Sequence, residues 1–101
     1  MTIQQLSIFL ENRVGRLAET TGILKENNID IRALSLADTT KFGILRLIVD
    51  QPAKAEKALK KAGMTVSLTN VIAIAVSDQP GGLAAAASAL GEAGIAVEYM
   101  Y

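Results

Sequence analysis

The sequence predicts an α+β fold, a four-stranded antiparallel sheet with two helices on one face, and three observations carry that prediction. Over residues 1–69 the apolar residues switch between a period of two and a period of three to four in the order β-α-β-β-α-β. The chain then repeats itself: residues 8–35 and 74–101 align without a gap at an offset of 66, with Ile8/Ile74, Gly15/Gly81, Leu17/Leu83, Ala18/Ala84, Leu24/Leu90, Glu26/Glu92 and Ile29/Ile95 identical. Such a repeat defines the folding unit before any local motif is read. The second copy supplies only strand, helix, strand.

Residues 3–10 place Leu6, Ile8 and Leu10 on one face at period two, as in a half-buried strand. From Val14 the step changes, and Val14, Leu17, Ala18, Thr21 and Leu24 mark a helix that closes at Asn27-Asn28, with Asn12 placed as its cap. Residues 29–37 are β-prone, Asp38-Thr39-Thr40-Lys41 is a turn signal, and residues 42–49 form a nearly continuous apolar strand, so a hairpin is expected. Gln51-Pro52 opens a second helix with Ala55, Ala58, Leu59 and Ala62 on its apolar stripe, and Gly63 stops it before a strand at residues 64–68. Right-handed crossovers then make the ferredoxin-like βαββαβ plait the economical topology.

The expected division is a complete unit at 1–69 and the βαβ first half of a second at 70–101. Val71 to Val76 follow Asn70 with no flexible linker, so the two should be rigidly apposed. The third helix, after Asp78-Gln79-Pro80-Gly81-Gly82, carries Ala84 to Ala87, Ala89 and Ala93; alanine favours helix by itself, and small residues also permit close helix packing, within the chain or across a dimer. A full second copy would reach about residue 135. A further segment, or a neighbouring chain, is therefore expected to cover the β-prone edge at residues 96–101.

Ten basic and ten acidic residues cancel, so no overall field favours nucleic acid or an anionic membrane. Lys54, Lys57, Lys60 and Lys61 fall at helical spacing, as on a solvated helix face. With neither cysteine nor histidine, the chain has no disulfide, no thiolate or imidazole metal ligand, and no Ser-His or Cys-His pair. No nucleophile and base can be assembled, so the chain is read as not an enzyme and as needing no cofactor. It has no basic-then-apolar leader and no apolar stretch near the ~18 residues of a membrane helix, which points to the cytoplasm.

A plait hosts unrelated functions, so the site must decide. No cysteine pair is present for copper, no basic-aromatic motif for RNA, and no Gly-rich phosphate loop precedes the first helix. The first strand-helix turns do share a pattern: Asn12-Arg13-Val14-Gly15-Arg16-Leu17 and Asp78-Gln79-Pro80-Gly81-Gly82-Leu83 both read Asn or Asp, two residues, Gly, one residue, Leu. A glycine at a helix start admits a close ligand or backbone, and the free N–H groups suit a carboxylate.

These turns, the helix ends Asn27-Asn28-Ile29 and Ala93-Gly94-Ile95, and the element order resemble ACT domains, as one full copy and half of another. The resemblance implies a regulatory module that binds a small ligand, usually an amino acid, where two such domains pair within a chain or across a homodimer. It also implies an enzyme carried on another chain as the regulated partner, with branched-chain amino-acid synthesis one context. On this sequence the implied ligand positions are Asn12, Arg13, Val14, Gly15 and Asp30, with Asp78 and Gly81 in the second copy. Ala96 departs from the polar residue expected there.

Structural roles compete at each position. Asn12 and Asp78 would serve as helix caps, Gly15 and Gly81 would relieve crowding, Asp30 would be solvated, and Arg13 and Arg16 would pair with Glu11 and Glu19. The rival reading of the whole chain is a ligand-free assembly module that uses the sheet edge or the alanine-rich helix.

Overall fold

The computed structural model describes residues 1–38 and 42–101; the expected turn at 39–41 lies outside the described residues. The elements are β1 (Thr2–Glu11), α1 (Arg16–Glu26), β2 (Ile31–Asp38), β3 (Phe42–Val49), α2 (Pro52–Lys61), β4 (Thr65–Ile72) and α3 (Gly82–Glu92). All pairings in the four-stranded sheet are antiparallel, and its order is β2-β3-β1-β4. This is the expected plait.

Register follows the alternation. Leu6 faces Leu47 and Leu68, and Ile8 faces Leu45 and Val66, so even positions of β1 meet odd positions of β3 under the helices. Leu24 of α1 and Ala55 and Leu59 of α2 close this layer, with Ile29 and Met64 sealing the turns after the two helices. The helices stay on one side because their apolar stripes have only this face to bury. The lysines of α2 point to solvent, Lys60 pairing with Glu56 at 3.3 Å.

The repeat is reproduced down to individual hydrogen bonds. Arg16 N donates to Arg13 O and Gly82 N to Gln79 O, while Ile29 N reaches Leu24 O and Ile95 N reaches Leu90 O. Burial is not reproduced. Ile8, Leu10 and Ile29 are buried, whereas their counterparts Ile74, Val76 and Ile95 are about half exposed. No residue of α3 is buried, and it packs on no other helix or strand of the described chain, so the close helix packing expected of its alanines does not occur within the chain.

β4 continues through Ile72, and Ala73 N donates to Met1 O at 2.8 Å. Residues 73–77 and 95–101, on either side of α3, form no ladder with each other. The sheet order supplies the reason: β1 pairs with β3 and β4 and never with β2, so a strand-helix-strand half contains no neighbouring strands.

The contrast between copies is measurable. Leu24→Ala is expected to cost ~2–5 kcal/mol in urea unfolding, as for a buried leucine, and the equivalent Leu90→Ala under ~1 kcal/mol.

Candidate functional site

The turn between β1 and α1 is built around Gly15. Its φ of 85° lies in the left-handed region, and it occupies the N-cap position with no side-chain cap hydrogen bond. Gly81 repeats this with φ 91° before α3. The expected capping by Asn12 and Asp78 is therefore corrected: a left-handed glycine stands between each of them and the helix, too far along the turn for a side chain to meet the first N–H groups. The expected relief of crowding is corrected too, because a Cβ on Gly15 or Gly81 would meet nothing within 4 Å. Backbone conformation, not space, demands glycine there.

Close approach falls instead on Gly82, where a Cβ would lie 2.1 Å from Ser77 O. No sequence pattern singles out this residue. Its adjacency to Gly81 is the only signal, and a doubled glycine does not say which of the two is crowded.

Asn12 is exposed and makes no side-chain hydrogen bond among the described residues, and Val14 is fully exposed at the tip of the turn. Arg13 contacts Glu11 at 3.4 Å and Glu19 at 3.7 Å, while Arg16 reaches Glu19 at 3.1 Å. The Nε of Arg16 is buried without a hydrogen-bond partner among the described residues. The turn thus offers an unengaged amide, an unsatisfied guanidinium N–H and the unpaired N–H groups of the first helical turn, all suited to a small ligand with a carboxylate.

Asp30 does not join this group within one chain. Glu11 pairs with Phe42 at one end of the sheet, and Ile31 pairs with Val49 at the other. Eight residues of strand separate those ends, about 25 Å. At its own end Asp30 accepts nothing from Asn12; its N–H donates to Asp50 Oδ1 at 3.0 Å, and its carboxylate lies 3.5 Å from Arg32 Nε. An open depression there is lined by Lys25, Asn28, Ile29, Asp30 and Asp50. Asp78 is exposed beside Gly81 in the second turn.

No group of three or more acidic, cysteine or histidine residues could hold a metal among the described residues, and no described helix is long and apolar enough to cross a membrane.

A family model described as an ACT domain pair matches residues 1–101. Among solved structures, the protein BT0572 from Bacteroides thetaiotaomicron is similar at 48% identity with a TM-score of 0.95, over all of this chain and 70% of that one. The ligand-free regulatory subunit of aspartate kinase from Thermus thermophilus matches the whole chain and 80% of its own length at a TM-score of 0.74 and 15% identity, which shows the fold. The ACT domain of the GTP pyrophosphokinase of Chlorobium tepidum matches 68% of this chain with all of its own, at a TM-score of 0.52 and 17% identity. No curated protein matches.

The turn makes its own prediction. Asn12→Ala is expected to leave unfolding free energy within ~0.5 kcal/mol, since no cap is lost, whereas Gly15→Ala should cost about 1 kcal/mol or more for its positive φ. Urea denaturation of the two variants checks both.

Proposed function

The chain belongs to the ACT domain family, in its paired form, and on that premise we propose that it is a non-catalytic regulatory module binding a free amino acid at an interface between ACT units. ACT domains are regulatory, ligand-binding modules. The observation that carries the proposal is the β1–α1 turn. Its polar groups are left without partners around a left-handed glycine, and the same turn recurs at Asp78 and Gly81. The proposed units are residues 1–69, complete, and 70–101, the first half of a second.

Because Asn12 and Asp30 lie at opposite ends of one sheet, a ligand touching both needs two units in antiparallel apposition. The free edge of β2 supplies the geometry. A two-fold axis beside β2 pairs it with the partner's β2 and brings Asp30 of the partner subunit to the end of the sheet that carries Asn12. The carboxylate of the amino acid would meet Arg16 Nε and the helical N–H groups, and its ammonium Asn12 or the partner subunit's Asp30. Arg13, Val14 and Gly15 would form the wall of the site.

Regulation follows as a population shift: the ligand stabilises one apposition, and an enzyme on another chain in the cytoplasm reads it. A neighbour that is itself the regulatory subunit of an aspartate kinase supports a regulated enzyme of amino-acid synthesis. The second reading, a ligand-free assembly module, is favoured by one observation, the half-exposed Ile74, Val76, Ile95 and Val97 of the second copy.

A thermal-shift panel of the twenty amino acids tests the proposal. A true ligand at 100 times its Kd should stabilise by about 2.7 kcal/mol, several degrees for a domain of this size. Asn12→Ala and Asp30→Ala should abolish the response without unfolding the protein. A flat panel on folded dimer would favour the assembly module.

A further inference from the structure

Gln5 stands on the wrong face to be buried. Odd positions of β1 point away from the helices, to the open side of the sheet, yet Gln5 is 0% exposed while Phe9 on the same row is 55% exposed. The cover comes from the far end of the chain. Tyr101 donates its hydroxyl proton to Gln5 Oε1 at 2.5 Å, and Gln5 Nε2 donates to Tyr99 Oη at 2.9 Å and to Ser7 Oγ at 3.3 Å. The guanidinium of Arg46, which faces Ser7 across the β1–β3 ladder, lies 3.7 Å from the centre of the Tyr99 ring.

Tyr99 and Tyr101 both turn to Gln5, and at the offset of 66 they correspond to Ala33 and Ser35. Those residues pair with Ile48 and Arg46 on the open face of the first sheet. The open-face side of the second copy therefore lies against the open face of the first.

We propose that Tyr99 and Tyr101 form a strap that fastens residues 96–101 across the open face of the β1–β3 ladder and holds the two repeat copies open face to open face, releasing as one unit to uncover Gln5 and the half-buried isoleucines beside it. Release is concerted because both phenols use a single amide. Losing Tyr101 leaves the buried Gln5 Oε1 without a partner, and losing Tyr99 leaves Nε2 with only its longer bond to Ser7 Oγ, so either loss weakens the other. The half-buried Ile3, Ile44 and Ile48 flank Gln5 and Arg46 on this face and become exposed when the strap lifts. The strap stands independently of any ligand at the β1–α1 turn.

The chain has two tyrosines and no tryptophan, so its tyrosine emission reports the strap alone. With Tyr99 37% and Tyr101 50% exposed, quenching by acrylamide in the full chain should be measurably weaker than for a free tyrosine amide. Gln5→Leu should raise it toward the free value while the far-UV circular dichroism stays native. Tyr101→Phe keeps the ring and removes the donor, and covers the case in which the leucine variant misfolds; it leaves Tyr99 as the only tyrosine, whose quenching should rise toward the free value. Tyrosines that quench freely in the unaltered chain, or quenching unmoved in both folded variants, would overturn the strap.

A pH titration adds an independent reading. Burial first, then the neighbouring Tyr99, hold the Tyr101 phenol above its ordinary pKa, against the opposing pull of Arg46. Since the folded value is the raised one, the strap contributes fully below the ordinary phenol value and is lost as pH rises through the folded one. Tyrosinate absorbance of the native chain should therefore develop later than in urea, and Gln5→Leu should shrink the gap.

Discussion

The strand that leaves the sheet through the first helical crossover returns two positions away, and the one-strand gap this leaves governs how the chain closes. In the first copy β3 fills the gap between β1 and β2, and β4 flanks β1 on the other side. Twelve apolar residues are then sealed between the sheet and two helices. The second copy repeats the strand-helix-strand half to the level of single backbone hydrogen bonds, but nothing in residues 73–101 occupies the gap. Its apolar positions are the same in kind and bare in fact. At roughly 1.5–3 kcal/mol for each large apolar side chain fully buried, covering Ile74, Val76, Ile95 and Val97 would stabilise the half by more than its own helix propensity provides.

The periodicity and the repeat made the plait legible, because apolar alternation and the offset of 66 are properties of the sequence itself. Element ends were less so. Asn12 was read as a cap because an Asn ahead of an apolar-periodic run is the usual signature, whereas the turn is made by Gly15 in the left-handed region. The sequence did carry a clue: the polar residue changes from Asn12 to Asp78 between copies, but the glycine does not. The separation of Asn12 from Asp30 was also open to deduction, since one strand out and one helix back leave their two turns at opposite ends of the sheet. The strap was not legible. Period two says that Tyr99 and Tyr101 share a side, but no local pattern names a glutamine more than ninety residues earlier as their partner.

Gln5 shows what a buried polar group contributes to a paired fold. An apolar residue at that position would set no condition on which surface covers the β1–β3 ladder and would leave the phenols that meet Gln5 without a partner. An amide whose oxygen and nitrogen must both be satisfied accepts only an arrangement that brings a donor and an acceptor together at hydrogen-bonding distance. The tyrosines meet that demand while the Tyr99 ring also lies against the Arg46 guanidinium, so the hydrogen bonds select the alignment and the ring contact helps hold it.

Regulation by such a pair depends on how finely its arrangements are balanced. A ligand moves an equilibrium only by its difference in affinity for the two states, about 1.4 kcal/mol for each tenfold. Among the described residues the two copies share no buried apolar core; the ties between them include the continuity of β4 with residues 73–76, a hydrogen bond between Met1 and Ala73, the Arg46–Tyr99 contact and one amide held by two phenols. Arrangements separated by so few contacts differ by amounts that one small ligand with two or three charge-assisted hydrogen bonds can match. A fully packed interface would have made the pair a rigid spacer, deaf to such a ligand. The sparse one leaves the relative placement of the copies as the soft coordinate, with each sheet and its left-handed glycine turn as the stiff elements that define it.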